Sequence, residues 1–138
     1  MNFPTPVTIC TSPKILIYKN VVGKEIRKKI INIHALNLEK SNVTEGVKIL
    51  SSKYRTSSSS FLNDDLNTSK LRMAVCKLHN FKKENSENFQ YVKYEVGQEY
   101  APHYDAFDVN EISKNSKVKQ RVITNIIYLN DEFSGGET

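Results

Sequence analysis

The chain has 138 residues and a mass of 15.8 kDa, which is the size of one domain. Hydrophobic residues make up 38% of the sequence and charged residues 25%, so the core is lean, but the composition is not that of a disordered protein. Lys and Arg number 20 and Asp and Glu number 15, which gives a net charge of +5 with the two signs interspersed. Because nucleic-acid binding requires basic residues concentrated on one face or in one run, no nucleic-acid partner is expected.

Membrane and secretory segments are not visible in the sequence. No stretch approaches the ~18 consecutive apolar residues of a membrane-spanning helix, so we expect no membrane insertion. Residues 1–13 show no basic region followed by an apolar run, so no signal peptide is visible and the cytoplasm is the default expectation. Cys10 and Cys76 have no CxxC partners, which argues against a zinc ribbon or a disulfide framework and predicts that Cys76 is a small buried side chain.

The first third of the sequence predicts a strand and a helix. Residues 1–13 carry three prolines and are expected to form an extended lead-in. Residues 14–18 form a short apolar run with strand character. A helix is predicted from residue 24 to about residue 36, with Gly23 before it and Asn37 after it, because apolar residues recur at helical spacing. Those residues are Val22, Ile26, Ile30 and Ile33.

The middle of the chain predicts a loop and then a second helix. Residues 54–62 contain four consecutive serines and are predicted to be a flexible surface loop, although their aromatic and β-branched residues give partial strand character. Asp64 or Asp65 can cap a helix that runs to about residue 79. Its apolar face is expected to contain Leu71, Val75 and Leu78.

Strand signals dominate the remaining sequence. Residues 89–94 alternate with period two, Gly97 ends that strand, and residues 102–107 form a second extended stretch. Residues 108–119 are predicted to be a polar loop, and residues 121–129 (RVITNIIYL) are the strongest strand signal in the chain. Helices come first and strands second, which indicates an α+β fold with an antiparallel sheet.

His103 and Asp105 are the residues whose pattern carries chemistry. On a strand, residues i and i+2 point to the same face, so the imidazole and the carboxylate can share one small partner. Two histidines and one carboxylate form the facial triad of non-haem Fe(II) oxygenases. An isolated His-x-Asp pair is more often an exposed polar pair than a metal site, so the surrounding sequence decides between the two.

Three segments around this pair resemble the prolyl 4-hydroxylase family of 2-oxoglutarate- and Fe(II)-dependent dioxygenases. They are residues 55–62 (RTSSSSFL), residues 94–107 (YEVGQEYAPHYDAF), and residues 120–131 (QRVITNIIYLND) followed by residues 135–138 (GGET). The resemblance implies an α+β fold whose core is a double-stranded β-helix, a jelly-roll or cupin-like barrel, with N-terminal helices packed on it. Residues 14–138 would form the N-terminal portion of such a dioxygenase domain.

The resemblance implies which residues hold the iron and its co-substrate. His103 and Asp105 match two of the three iron ligands. Tyr94 and Thr138 match residues that hydrogen-bond the distal carboxylate of 2-oxoglutarate. Without the resemblance, Tyr94 would be an ordinary half-buried strand residue and Thr138 a disordered chain end.

The resemblance also implies a peptide groove. Tyr100 and Arg121 match positions that line this groove, and Arg55 and Ser57 fall in the loop that closes over the substrate. The family commonly has a glycine where this chain has Ser59, so closure of the loop is expected to differ. Without the resemblance, Tyr100 would be a half-buried strand residue and Arg121 a solvated charge.

The implied enzyme uses Fe(II), 2-oxoglutarate, O₂ and ascorbate, and hydroxylates peptidyl proline at C4 with succinate and CO₂ as co-products. Members of this family often work in the endoplasmic reticulum. Their substrates are proline-rich chains, which suit an extended groove because they already adopt the polyproline II form.

Part of the family's machinery is expected to lie outside this sequence. The second histidine ligand and a lysine that pairs with 2-oxoglutarate follow the Gly-Gly-Glu-Thr turn in the family, so we expect the chain to be part of a longer hydroxylase. One alternative is a truncated, non-catalytic relative that binds a peptide or a partner. Another is a barrel whose second half is supplied by a separate chain. The sequence leaves the oligomeric state open.

Overall fold

The computed structural model describes residues 3–45, 48–50, 54–114 and 119–138. Short strands alternate with helices along these residues. In chain order the elements are β1 (Val7–Thr11), β2 (Lys14–Ile17), α1 (Lys24–His34), β3 (Glu39–Lys40), β4 (Val43–Glu45), β5 (Lys48–Leu50), β6 (Ser58–Phe61), α2 (Leu66–Leu78), a 3₁₀ helix (Lys83–Asn85), β7 (Gln90–Lys93) and α3 (Val109–Lys114).

The strands form small sheets rather than one large one. β1 pairs with β2, and β4 with β5, in antiparallel two-stranded sheets. β3, β6 and β7 form a three-stranded sheet in that order, in which Glu39 pairs with Ser59 and Lys40 with Ser58. The prediction of helices mixed with antiparallel strands is confirmed, whereas the described residues form no jelly-roll barrel. The predicted order of helices first and strands second is wrong, because strands lie on both sides of α1 in the chain.

One compact unit consists of residues 1–38 and 60–91 and contains the apolar core. Within the predicted lead-in of residues 1–13, β1 pairs with β2, which gives its backbone amide and carbonyl groups partners. The buried apolar side chains of the described residues all lie in this unit: Val22, Ile30, Leu62, Leu71, Cys76 and Tyr91. The prediction that Cys76 is buried is therefore confirmed.

The helix α1 begins where the sequence predicts and ends slightly earlier. It follows Gly23 and ends at His34, with Ala35 as its C-cap. Of the predicted apolar face, Ile30 is buried, whereas Ile33 is 57% exposed. The apolar face of α1 that packs on the core is therefore narrower than the sequence predicts, because it does not include Ile33.

The helix α2 begins at a cap that the sequence identifies. The carboxylate of Asp65 accepts hydrogen bonds from the backbone amides of Asn67 and Thr68. Because the first amides of a helix have no partners within it, this contact satisfies groups that would otherwise stay unpaired.

None of the helices in the described part of the chain is long and apolar enough to cross a membrane.

The other compact unit consists of residues 39–59 and 92–138, and its fully buried side chains are polar. Ser41 and Ser57 are 1% and 0% exposed, and Ser59 is 9% exposed. The surface-loop interpretation of residues 54–62 is wrong and their partial strand character is confirmed, because residues 58–61 form β6 and Arg55 forms a bridge with Tyr100. The alternating serines Ser57 and Ser59 both hydrogen-bond the buried hydroxyl of Ser41, which gives their own hydroxyl groups a partner.

Two further predictions in this unit are wrong. Residues 108–119, predicted to be a loop, contain α3, whose start is capped by a hydrogen bond from the Asn110 amide to the Asp108 carboxylate. Residues 121–129 do not form a strand: they belong to none of the sheets of the described residues, and Val122 is 71% exposed. A β-branched sequence favours extended backbone, but a strand also needs partners for its amide and carbonyl groups.

Candidate functional site

Backbone pairing brings residues 54–56, at the start of the RTSSSSFL motif, beside residues 99–101, which precede His103. The amide of Thr56 donates to the carbonyl of Glu99 at 2.9 Å, and the amide of Ala101 donates to the carbonyl of Tyr54 at 2.8 Å. The hydroxyl of Thr56 adds contacts to both the carbonyl and the amide of Glu99. Two motifs separated by more than forty residues in the sequence thus form one antiparallel bridge.

His103 and Asp105 converge at the centre of this unit's candidate site. The Nε2 atom of His103 lies 3.4 Å from Oδ1 of Asp105. The sequence predicts that the two side chains meet because they share one face of a strand. Residues 102–107 instead contain bends and form no strand, so the bent backbone brings the side chains together. The Nδ1 atom of His103 lies 2.8 Å from the carbonyl of Ala101, and since a carbonyl can only accept, the proton sits on Nδ1. The other ring nitrogen, Nε2, is the one that faces the Asp105 carboxylate.

The geometry of this pair fits a divalent metal. Two ligands at right angles, each ~2.1 Å from one metal ion, lie about 3 Å apart, close to the observed 3.4 Å. Both side chains are accessible, at 37% and 40% exposure, so an ion and a co-substrate can reach them. A backbone carbonyl bonded to the other nitrogen of a ligating histidine is the usual support for such a ligand. Among the described residues, no group of three or more histidine, cysteine or acidic side chains that could hold a metal ion lies together.

Aromatic and cationic side chains pack around His103. The ring of Tyr100 stacks on the imidazole with a centroid separation of 3.6 Å and an interplanar angle of 15°. The guanidinium carbon of Arg55 lies 4.8 Å from the centroid of the Tyr100 ring, within the range of a cation–π contact. The structure therefore brings Arg55, Tyr100 and the His103–Asp105 pair together, as the sequence predicts for neighbouring parts of one site.

The buried hydroxyl of Ser57 accepts a hydrogen bond from the Arg55 side chain. The Nε of Arg55 donates to the Ser57 hydroxyl at 3.2 Å, Ser57 donates to Ser41 at 3.0 Å, and Ser41 donates to Ser59 at 2.8 Å. The Ser57 hydroxyl thus has Ser41 and Arg55 as partners. Because Ser57 is fully buried, this hydroxyl is not accessible to a ligand in this structure. The predicted role of Ser57 in loop closure stays a prediction.

Arg121 lies beside the segment that carries Asp105. Its guanidinium donates to the backbone carbonyl of Asp105 at 3.4 Å and lies 4.6 Å from the centroid of the Phe107 ring. The side-chain amide of Gln120 also bonds both the amide and the carbonyl of Phe107, at 2.8 and 2.9 Å. Residues 120 and 121 thus fix the backbone on the C-terminal side of the His103–Asp105 pair.

The two predicted 2-oxoglutarate contacts carry hydroxyl groups that are exposed. Tyr94 is 47% exposed, and the hydroxyl of Thr138 lies 2.6 Å from that of Tyr128. Gly135 and Gly136 before Thr138 have φ values of +78° and +72°, a conformation that favours glycine. The roles of Tyr94 and Thr138 toward the co-substrate stay predictions.

Two residues of this site escape sequence reasoning. Thr124 donates a hydrogen bond from its hydroxyl to Oδ2 of Asp105, and its only sequence signal is a polar residue within the apolar run after Arg121. Ser41 lies outside all of the recognised motifs, and no local pattern marks it. Both contacts join residues at least sixteen positions apart, so they depend on the tertiary structure.

Comparison with known proteins finds a family match that contains two of the three motif segments, residues 94–107 and 120–138. Residues 89–138 match the model of the 2OG-Fe(II) oxygenase superfamily. The chain is similar to two proteins of Arabidopsis thaliana over 94% of its length: probable prolyl 4-hydroxylase 10, at 34% identity over 134 residues, and prolyl 4-hydroxylase 5, at 34% over 136 residues. It covers 46% and 45% of these two proteins, so the chain spans about half the length of the curated relatives it matches.

These matches confirm the resemblance that the sequence motifs indicate. The superfamily is one of dioxygenase enzymes, and its cofactors, Fe(II) and 2-oxoglutarate, are those that the sequence predicts. The matched span includes His103, Asp105 and Arg121. Residues 89–138 therefore match the 2OG-Fe(II) oxygenase superfamily, and the chain as a whole is similar to prolyl 4-hydroxylases.

Proposed function

We propose that the protein carrying this chain is an Fe(II)- and 2-oxoglutarate-dependent dioxygenase that hydroxylates peptidyl proline at C4, with succinate and CO₂ as co-products. The observation that carries the proposal is the convergence of His103 Nε2 and Asp105 Oδ1 at 3.4 Å, with the tautomer of His103 fixed by the Ala101 carbonyl. The similarity to proteins named prolyl 4-hydroxylases supports the choice of proline.

His103 and Asp105 would hold the Fe(II) ion as two ligands of a facial triad. In the family's order the third ligand is a histidine after the Gly-Gly-Glu-Thr turn. When bound, the iron supplies the oxidation chemistry with O₂ and 2-oxoglutarate, and ascorbate keeps it in the ferrous state. The chain's own contribution would be to engage Nδ1 of His103 through the Ala101 carbonyl, which leaves Nε2 for the metal, and to direct both ligands at one point.

Tyr94 and Thr138 would bind the distal carboxylate of 2-oxoglutarate. Both residues carry a hydroxyl group that can donate a hydrogen bond to an ionised carboxylate. The exposure of Tyr94 leaves its phenol accessible to a co-substrate.

Tyr100, Arg55 and Arg121 would bind the peptide substrate. A polyproline II segment leaves its carbonyl groups free of internal hydrogen bonds, so a guanidinium can donate to them. The apolar faces of prolyl rings pack well on aromatic rings, as in other grooves that recognise such segments. The Arg55–Tyr100 contact places both kinds of group next to the proposed iron ligand His103.

We further propose that residues 14–138 form the N-terminal part of a dioxygenase domain with a jelly-roll core. The support is the run of accessible apolar side chains after Arg121, which such a core would bury: Val122 at 71%, Ile123 at 44%, Ile126 at 58% and Tyr128 at 53% exposure. A crystal structure of the whole protein tests this directly, and a different fold around residues 121–129 would overturn it.

The activity is tested by incubating the purified protein with Fe(II), 2-oxoglutarate, ascorbate and a proline-rich peptide. We expect succinate formation and a mass increase of one oxygen atom on a prolyl residue of the peptide. His103→Ala and Asp105→Ala should abolish both signals, whereas His79→Asn, at the C-cap of α2, should retain them. Peptide binding without turnover in the unaltered protein would instead support the non-catalytic alternative.

A further inference from the structure

We propose that Thr124 is a positioning residue that determines which carboxylate oxygen of Asp105 faces the metal. This inference rests on the proposed function, because it assigns Thr124 a role toward the proposed iron ligand. Thr124 itself is not placed to act as a ligand, since the described contact of its hydroxyl is with Asp105.

The two oxygens of the Asp105 carboxylate have different partners. Oδ2 accepts a hydrogen bond from the Thr124 hydroxyl, with a donor–acceptor distance of 2.5 Å. Oδ1 lies 3.4 Å from Nε2 of His103. One oxygen is therefore held by the protein while the other points to the place that both ligands share. A carboxylate without the first contact could rotate about its terminal bond and present either oxygen, or both, to an ion.

The same arrangement is found on His103. Its Nδ1 is bonded to the Ala101 carbonyl, and its Nε2 is left for the metal. Each ligand thus has one polar atom tied to the protein and one atom free to coordinate. Because groups that orient metal ligands contribute strongly to metal affinity, Thr124 is expected to act toward Asp105 as the Ala101 carbonyl acts toward His103.

The segment that contains Thr124 also holds the Asp105 backbone. Arg121, three residues earlier, donates from its guanidinium to the Asp105 carbonyl. The carbonyl and the carboxylate of one residue are therefore both bonded by residues 121–124. Thr124 is exposed, so removal of its hydroxyl leaves no buried unpaired group, and a loss of metal affinity would not be explained by unfolding.

The test is a titration of the purified protein with Co(II) alone. Calorimetry measures the binding, and the visible absorption of the bound ion reports its coordination. Thr124→Val removes the hydroxyl and keeps the shape of the side chain. We expect about 10- to 100-fold weaker Co(II) binding and a changed absorption spectrum. Thr124→Ser keeps the hydroxyl and should stay close to the unaltered protein in both measurements.

Two further variants distinguish a failure of the inference about Thr124 from a failure of the proposed metal site. If His103→Ala and Asp105→Ala leave Co(II) binding unchanged, the metal site itself is wrong. If those variants abolish binding but Thr124→Val binds like the unaltered protein, the site stands and the role of Thr124 is refuted. Equal losses in Thr124→Val and Thr124→Ser would also refute it, because the serine hydroxyl should restore the contact. Circular dichroism of each variant checks that the fold is retained.

Discussion

The rings of Tyr100 and His103 stack with their centroids 3.6 Å apart and their planes 15° from parallel. The imidazole plane is thus fixed by the Tyr100 face, and its tautomer is fixed by the Ala101 carbonyl. The other neighbour of the Tyr100 ring is the guanidinium of Arg55. One tyrosine therefore connects the proposed peptide-binding side chains to the proposed iron ligand.

Replacement of Tyr100 should affect the His103 ring. Stacked aromatic pairs contribute about 0.5–1.5 kcal/mol, so Tyr100→Leu should weaken Co(II) binding by roughly two- to tenfold if the imidazole loses its orientation. Proton NMR should also show the His103 ring protons moving downfield, because the ring current of Tyr100 is lost. Tyr100→Phe retains the ring and is the control. A Leu variant with unchanged His103 shifts would show that the stack does not persist in solution.

The buried serine hydroxyls should contribute to stability. Ser41 both accepts from Ser57 and donates to Ser59, so Ser41→Ala leaves two buried hydroxyl groups with a missing partner. A hydrogen bond contributes about 0.5–1.5 kcal/mol net, so the loss of these two should lower the free energy of unfolding in urea by about 1–3 kcal/mol.

The matched control is Ser60→Ala. The Ser60 hydroxyl is buried and has no hydrogen-bond partner among the described residues, so its removal should leave the free energy of unfolding unchanged or raise it. Equal destabilisation by Ser41→Ala and Ser60→Ala would show that the chain of serine hydrogen bonds adds nothing.

Local signals made the helices predictable. Gly23 before α1 and Asp65 before α2 lie where the sequence places the starts of those helices. Hydrogen bonds between residues two and three positions apart form the Asp65 cap, so the sequence contains the whole interaction. The same kind of signal was present at Asp108 before α3, but the short helix was hidden in a polar segment.

Non-local pairing decided the parts that sequence reasoning missed. The serines of β6, Ser58 to Ser60, have low strand propensity, but pairing with β3 and the hydrogen bond between the Ser41 and Ser59 hydroxyls stabilise the strand. Residues 121–129 have high strand propensity, yet they belong to none of the sheets of the described residues. In the site, the His103–Asp105 pair was predictable from a motif, whereas its support by Thr124 required the fold.

The Asp65 cap gives a direct test of α2. Asp65→Ala removes the acceptor for the Asn67 and Thr68 amides and should lower the free energy of unfolding by about 1 kcal/mol. Asp65→Ser restores a capping oxygen and should recover most of that loss. Urea unfolding followed by the helical circular dichroism signal measures both variants. An Asp65→Ala variant as stable as the unaltered protein would show that the cap is dispensable.

Acid should destabilise the unit that contains α2 through two carboxylates. The hydrogen bond from the Lys83 ammonium lowers the pKa of Asp64 below its ordinary value of 3.8. The amide of Thr68 lowers the pKa of Asp65 in the same direction. A carboxylate whose pKa is lower in the folded state stabilises that state above the unfolded pKa, and the contribution is lost as the pH falls through the folded value.

The free energy of unfolding should therefore decrease between about pH 5 and about pH 2, and part of that slope should belong to Asp64 and Asp65. Asparagine also caps helices but does not titrate in this range, so Asp65→Asn should flatten the pH dependence while keeping the stability at neutral pH. Lys83→Gln should flatten it as well, because the cation that favours ionised Asp64 is removed. Urea unfolding of the three proteins across this range measures the slopes. Identical slopes would mean that neither contact persists in solution, since a titrating carboxylate with a lowered folded pKa must contribute to the slope.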